Sequence, residues 1–271
     1  MTFQKRVIAI TGAASGIGRA LAVEMGKRGA DLSLCDVDEA GLAETAALLK
    51  DRNVTTTRVD VADRAAVEAW AADTIAKHGK VDAIVNNAGV TVQETIADIT
   101  YEDFEWIMGI NLWGVVYGTK AFLPHLLERN TGWVVNVSSV FGMIGFPGQG
   151  SYNATKFAVR GMTEALRWEL EETGVTVCSV HPGGIRTNIV RNGRMLSDPL
   201  GRTDPKDMAA QFDKLARTSP AQAAKVIADG MAKGEPRILI GNDARAIDAV
   251  QRMAPRQYGK IMKRLADVFD V

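Results

Sequence analysis

The sequence predicts a doubly wound α/β fold, built on a parallel sheet of about seven strands with helices on both faces. Three observations carry that expectation. Short apolar runs alternate with longer segments of helical period along the chain. Each run is apolar throughout rather than at every second residue, as expected of a strand covered on both faces. A glycine-rich turn joins the first run to the first helical segment, and repeated strand–helix units of this kind specify a parallel sheet.

Taken in order, the strand-like runs cover residues 7–11, 32–36, 56–60, 83–86, 133–138, 176–181 and 237–240. Helical period falls on residues 17–28, 39–50, 65–77, 102–129, 152–172 and 220–233. No repeat, low-complexity stretch or Pro/Gly/Ser linker divides the 271 residues, so residues 1–271 are read as one domain. Two regions break the rhythm. Residues 189–219 carry Gly193, Pro199, Gly201 and Pro205 and no predicted strand, which suggests a lid. In a C-terminal extension of residues 242–271, Tyr258, Ile261, Met262, Leu265 and Phe269 recur at helical spacing among Lys260, Lys263 and Arg264. That pattern fits packing on this or a neighbouring subunit, with contact to a membrane surface as the other reading.

Composition narrows the function. The chain is 46% hydrophobic and 24% charged, ordinary for a globular protein. Its 32 basic and 32 acidic residues balance, so no overall field favours nucleic acid. The N-terminal residues lack an apolar core followed by a small-residue cleavage site. No stretch approaches the ~18 apolar residues of a membrane span. Cys35 and Cys178 sit inside apolar runs, and buried thiols of this kind fit a reducing, cytoplasmic setting. His78, His125 and His181 show no metal-ligand spacing, so no metal is expected.

The turn Thr11-Gly12-Ala13-Ala14-Ser15-Gly16-Ile17-Gly18 follows the first strand and opens the first helix. Gly12 suits a tight turn, Gly16 lets backbone approach a pyrophosphate, and Gly18 lets helix and strand pack closely. The helix start aims free N–H groups and a positive dipole end at phosphate. Ser15 and Ile17 belong to the same loop. This is the dinucleotide-binding arrangement of a Rossmann fold. Asp36 ends the second strand, where its carboxylate can accept from both adenine-ribose hydroxyls and repel a 2′-phosphate. No Arg or Lys stands at Ser15, Val37 or Asp38 to offset that charge. NAD is therefore expected, with NADP as second choice.

Tyr152-Asn153-Ala154-Thr155-Lys156 puts a phenol and an ammonium on one helix face, one turn apart. The pair follows the strand at 133–138, at the carboxyl edge where such folds bind ligands. Here the sequence resembles the short-chain dehydrogenase/reductase family over about residues 5–241. The resemblance rests on Thr11–Gly18, Asn86-Asn87-Ala88-Gly89, Asn111, Ser138-Ser139, Tyr152 with Lys156, and Pro182-Gly183 with Thr187, in that order.

The resemblance implies an oxidoreductase that moves a hydride between a nicotinamide cofactor and an alcohol or carbonyl compound. Tyr152 would be the acid/base. Work near pH 7 asks its phenol to fall roughly 3 pKa units, about 4 kcal/mol, and Lys156 with the positive nicotinamide would supply that by Coulomb attraction. Lys156 would also hold the nicotinamide-ribose hydroxyls. Ser139, the second serine of its pair, would donate to the substrate oxygen. Asn111 would position a water joining Lys156 to solvent; the alternative is a helix-interior Asn bonded to backbone. Asp60 and Val61 would touch adenine, and Asn87, Ala88 and Gly89 the adenosine, although Asn87 could equally stabilise the sheet. Pro182, Gly183 and Thr187 would meet the nicotinamide end.

Val140, Phe141, Met143, Ile144 and Phe146 are expected to line an apolar substrate side, closed by Met195 and Leu196 of the lid. A hydrophobic secondary alcohol or ketone fits, while Arg186, Arg191 and Arg194 keep a carboxylate-bearing compound open. Trp106, Trp113, Phe122 and Trp168 suggest apolar helix faces, and the resemblance implies a homodimer or homotetramer. The alternatives are a catalytically silent dinucleotide-binding regulator, an epimerase or dehydratase of the related extended family, and a membrane-associated lipid enzyme.

Overall fold

The structure, a computed structural model, describes residues 3–197, 204, 210 and 216–261. Strand β1 (Val7–Thr11) and helix α1 (Gly16–Lys27) set a unit that repeats as β2 (Asp31–Asp36), α2 (Glu39–Ala47), β3 (Val54–Arg58), α3 (Arg64–His78) and β4 (Ala83–Asn86). A short β5 (Val92–Gln93) precedes α4 (Tyr101–Met108), a π-helical turn (Gly109–Trp113) and α5 (Gly114–Glu128). Then come β6 (Gly132–Val137), a 3₁₀ turn (Val140–Gly142), α6 (Gly150–Glu169) and β7 (Val175–Pro182). The chain continues through β8 (Arg194–Met195), α7 (Pro220–Lys233), β9 (Arg237–Ile240) and α8 (Asn242–Met253).

Seven parallel strands form one sheet in the order β3-β2-β1-β4-β6-β7-β9. The chain winds outward from β1 to β3, then returns to the other side of β1. That reversal leaves a crevice at the carboxyl ends of β1 and β4, the place where such sheets take ligands. Both faces are apolar, which is why the strand runs are unbroken. Ile8, Ile10, Leu32 and Leu34 pack under Leu21 and Met25 of α1, Leu42 of α2 and Ile227 of α7. Ala9, Ile84 and Val134 face Trp70 of α3, Phe122 of α5 and Leu166 of α6. Phe122 is thus core, packed edge-on against Trp70 at 5.0 Å between ring centroids, and belongs to no exposed helix face.

Four expectations change. The segment at 102–129 is two helices, because the π turn inserts its extra residue at Gly109–Trp113. The third strand starts and ends two residues early, since Leu32 to Asp36 pair with Val54 to Arg58. The lid region does hold a strand: Arg194 and Met195 pair with Val92 and Gln93. The extension opens as a helix of 12 residues, α8. Lid residues 198–203, 205–209 and 211–215, with Pro199, Gly201 and Pro205, lie outside the described residues, as do Met262, Lys263, Arg264, Leu265 and Phe269. No helix among the described residues is long and apolar enough to cross a membrane.

Opposite the crevice, fully buried Asp82 ties three elements together. Its carboxylate accepts from the Val7 amide at 2.9 Å and pairs with Arg6, Lys80 and Arg129 at 2.9, 3.1 and 3.2 Å. Burial pushes this carboxyl up, but the Val7 amide, Arg6 and Lys80 outweigh it and hold it below its ordinary value. Asp82→Ala should cost about 2–3 kcal/mol in urea unfolding at pH 7, less than a fully buried pair because the three cations reach solvent. A depressed carboxyl stabilises the fold above its unfolded value near 3.8 and stops doing so as pH falls through the folded value. The gap between the two proteins should therefore narrow below that pH; an unchanged midpoint at pH 7 would refute the role.

Candidate active site

The glycine loop lies on the carboxyl end of β1. Gly12 and Gly16 have φ of 66° and 54°, in the left-handed region that a side chain rarely enters. A Cβ on Gly12 would stand 2.8 Å from the Ala88 Cα, and one on Gly18 would collide with the Gly12 carbonyl at 2.0 Å. Asn87 braces this approach: its side-chain amide donates to the Thr11 and Gly12 carbonyls at 2.9 and 3.2 Å. The Thr11 hydroxyl accepts from the Asn87 and Ala88 amides, both at 2.9 Å. Asn87 therefore serves the loop and the sheet, the structural of its two readings. Ile17 packs partly into the core beneath the loop.

Helix α1 differs from most others at its start. Asp38, Asp63, Thr100 and Ser219 cap α2, α3, α4 and α7 through their side chains. Ser15 gives α1 no such bond, and no acidic residue lies in its first turn. The leading N–H groups face the crevice uncapped, as an anion-binding start requires.

Asp36 is held by two backbone amides, Ala14 at 2.9 Å and Asp38 at 3.1 Å. Arg19 reaches the same loop, but its guanidinium is spent on the Ala14 carbonyl, Glu44 at 2.8 Å and Thr45 at 3.0 Å. The Asp60 carboxylate turns back to its own Ala62 amide at 2.9 Å. Val61 is buried against Gly114, where a Cβ would lie 2.9 Å from its Cγ2. At the far end, Gly16 approaches Thr187 so closely that a Cβ would stand 3.3 Å from its methyl. Pro182 ends β7 and the Gly183 amide donates to the Ile240 carbonyl at 3.0 Å.

Ser139, Tyr152 and Lys156 converge beside this crevice. The Ser139 hydroxyl lies near enough to the Tyr152 phenol to favour its ionised form, and the Lys156 Nζ lies 5.5 Å from the phenol ring centroid. The amine abuts Gly89, where a Cβ would sit 3.3 Å from Nζ, and donates to the Val137 carbonyl at 3.1 Å. Ser138 turns away and donates to the Lys156 carbonyl at 2.8 Å, bracing the helix. Burial decides both charges: it pushes the Tyr152 phenol up to about 12, against a smaller pull from Ser139. It brings the Lys156 amine down to about 8. The lowering of the phenol expected from Lys156 is therefore not a property of the protein alone.

The Asn111 side chain is fully buried and engaged. Its amide oxygen accepts from the Val90 amide at 2.8 Å, while its nitrogen donates to the Val90 carbonyl at 2.8 Å and Thr155 at 3.3 Å. That side chain clamps the backbone at Val90. Val140 and Met143 are buried beneath Ala244 of α8. Arg194 pairs with Asp103 at 2.5 Å and covers the Trp106 ring at 4.0 Å. Met195 is buried, and Leu196 is exposed.

Near the site, Asn153 was missed, and His181 has a structural role. Asn153 accepts from the Phe146 amide at 3.0 Å and donates to the Phe141 and Ile144 carbonyls, both at 2.8 Å. His181 meets the Ser139 carbonyl through Nδ1 at 3.1 Å. An Asn between Tyr152 and Lys156 on a mostly buried helix start was the available signal for the first.

Comparison with known proteins places the chain in a family. The family model for short chain dehydrogenase matches residues 6–195. SadH of Mycobacterium tuberculosis is 44% identical over 266 residues, covering 96% of this chain and 95% of SadH. Levodione reductase of Leifsonia aquatica is 36% identical, covering 91% of both chains. A crystal structure of a short chain dehydrogenase/reductase from Burkholderia phymatum in complex with NAD superposes with a TM-score of 0.85 at 30% identity, over 93% of this chain and 95% of that one.

A buried ammonium is costly, and removing it should show. Lys156 falls from 10.5 to about 8 on folding, a penalty of roughly 3 kcal/mol at most. Lys156→Met should raise stability at pH 7 by about 1–3 kcal/mol in urea unfolding while abolishing turnover. Because the folded value is the lower one, the penalty is complete below pH 8 and fades as pH rises toward 10.5, so the gain should shrink over that range. A variant no more stable than the parent would sink this account.

Proposed function

The chain belongs to the short-chain dehydrogenase family, and on that premise we propose that it interconverts a hydrophobic secondary alcohol and a ketone with NAD(H), the whole chain acting as one catalytic domain. The observation that carries the reading is that Tyr152 and Lys156 stand together, with Nζ 5.5 Å from the phenol ring centroid, beside Gly89 at the crevice and close to Ser139. The crevice fits a dinucleotide: α1 starts uncapped, Gly12 and Gly18 leave no room for a Cβ, and the Asp36 carboxylate stands where the adenine ribose would lie. When bound, the nicotinamide would accept or supply the hydride.

The side chains do the rest. Gly12, Ser15, Gly16, Ile17 and Gly18 would cradle the pyrophosphate, Asp60 to Val61 and Asn87 to Gly89 the adenosine side, and Pro182, Gly183 and Thr187 the nicotinamide end. Ser139 donates to the substrate oxygen as negative charge grows there. Tyr152 takes the alcohol proton in oxidation and gives it back in reduction. With the cofactor bound, Lys156 and the positive nicotinamide together would offset the burial that raises the phenol. Asn111 acts on this site as a brace on Val90 and Thr155.

NAD over NADP is supported by Asp36, whose charge no free cation on the loop offsets. An apolar substrate is supported by Phe141, which stacks on Phe146 at 5.1 Å and meets the Tyr152 ring edge-on at 6.2 Å. We place the protein in the cytoplasm, which its two buried free thiols support. Half-exposed Trp113, with Phe157 and Trp168, supports a homodimer or homotetramer across α5 and α6; light scattering at working concentration should give no monomer.

The decisive assay screens secondary alcohols and ketones with each nucleotide, read at the reduced nicotinamide band. NADH should support a higher kcat/KM than NADPH. Tyr152→Phe should lower turnover by about 100-fold or more and leave NADH affinity within a few-fold. Retained turnover would remove the acid/base role, and a preference for NADPH would remove the role given to Asp36.

A further inference from the structure

We infer that the C-terminal segment, residues 242–261, latches the two loops that border the reacting groups, with Asp243 and Tyr258 as its positioning residues. One loop carries Ser139 and runs to Phe146; the other runs from Pro182 to Thr187. Each leaves a backbone amide that the C-terminal segment satisfies. The Gly145 amide donates to the Tyr258 hydroxyl at 3.1 Å, across 113 residues of sequence. The Gly184 amide donates to the Asp243 carboxylate at 2.7 Å, across 59 residues.

The chain is shaped to admit these groups. A Cβ on Gly183 would stand 2.1 Å from one Asp243 carboxylate oxygen, and a Cβ on Gly241 the same distance from the other. The carboxylate fills the space between two glycines. Beneath it, Ala244 of α8 is fully buried with Val140 and Met143, and Ile247 packs beside them. Asp248 of the same helix holds Arg237 at 2.6 Å, and that guanidinium reaches the Met143 sulfur at 2.5 Å. The serine loop is thus gripped from two sides, by Asn153 of α6 and by the C-terminal segment. Phe146, next to the Tyr258 contact, is 45% exposed and stacks on Phe141, which meets Tyr152. Tyr258 accordingly sets where an apolar wall stands relative to the phenol. This consequence rests on the alcohol–ketone reading; the latch itself does not.

Hydrogen–deuterium exchange on the full chain tests the latch without any substrate. Tyr258→Phe removes only the acceptor oxygen and should speed exchange of the peptide containing Gly145 by about tenfold, the usual effect of one lost hydrogen bond, leaving Gly184 unchanged. Asp243→Ala, which removes the acceptor, should do the reverse. Unchanged exchange at Gly145 in the first variant and at Gly184 in the second overturns the latch. For its effect on substrate, 2-octanol and 2-propanol serve as probes with NAD. The kcat/KM ratio of long to short alcohol should fall about tenfold in Tyr258→Phe, through KM rather than kcat, with NADH affinity unmoved. An unchanged ratio overturns the link to specificity. Should the parent protein oxidise neither alcohol, that link falls with the proposed reaction, while exchange still decides the latch.

Discussion

A single constraint organises the site: the Lys156 amine must stay buried and charged close to a phenol. It is 3% exposed, donates to the Val137 carbonyl, and is brought down to about 8 by burial. A cation held with so little compensation survives only if its surroundings cannot relax around it. The neighbours provide that rigidity. Gly89 makes room for the amine, Asn111 fixes the backbone beside it at Val90, and Ser138 holds the Lys156 carbonyl. Each of these bonds is local, polar and buried, and each would be expensive to leave half made. Stability given up at the amine is spread over a shell that cannot easily be altered.

The helix bearing the pair is fixed to the sheet by a second polar chain. The Asn86 side chain donates to Asn136 on the next strand at 2.8 Å and to Thr119 of α5 at 3.1 Å. Asn136 in turn donates to Thr163 of α6 at 3.0 Å. Gly118 lets α5 come down on Asn86, since a Cβ there would collide with its amide oxygen. Apolar packing alone would let a helix slide along a sheet face; a ladder of amides and hydroxyls fixes its register. The turn of α6 that bears Tyr152 begins three turns before Thr163, so this register decides where Tyr152 and Lys156 stand over the crevice.

The strands were legible because a parallel sheet covered on both faces leaves unbroken apolar runs, as at Val7–Thr11 and Ala83–Asn86. The glycine loop was legible because its three glycines answer steric demands that no other residue meets. What escaped depended on distance or on geometry without a sequence period. The π turn at Gly109–Trp113 adds one residue inside a pattern that reads as continuous helix. Strands β5 and β8 are two residues each and meet across the lid, too short to carry an alternation. Asp243 and Tyr258 are isolated polar residues whose partners are backbone amides of glycines far away, which no side-chain pattern announces. The Tyr152 phenol was read from its charged neighbour alone; its surroundings are dry enough that burial dominates.

The titrating groups around the serine separate cleanly in consequence. His181 is fully buried, and burial brings it down to about 4, so it is neutral near pH 7. A carbonyl can only accept, so the proton sits on Nδ1 facing Ser139, and Nε2 accepts from the Ser179 hydroxyl at 2.9 Å. This histidine is a strut for the serine and takes no part in proton transfer at neutral pH. The phenol at about 12 keeps its proton there, while the amine at about 8 keeps its charge. On the proposed reaction this resting form would suit donation of a proton to a carbonyl, and oxidation would need the phenolate, drawn from charge gathered at the site rather than from the resting protein.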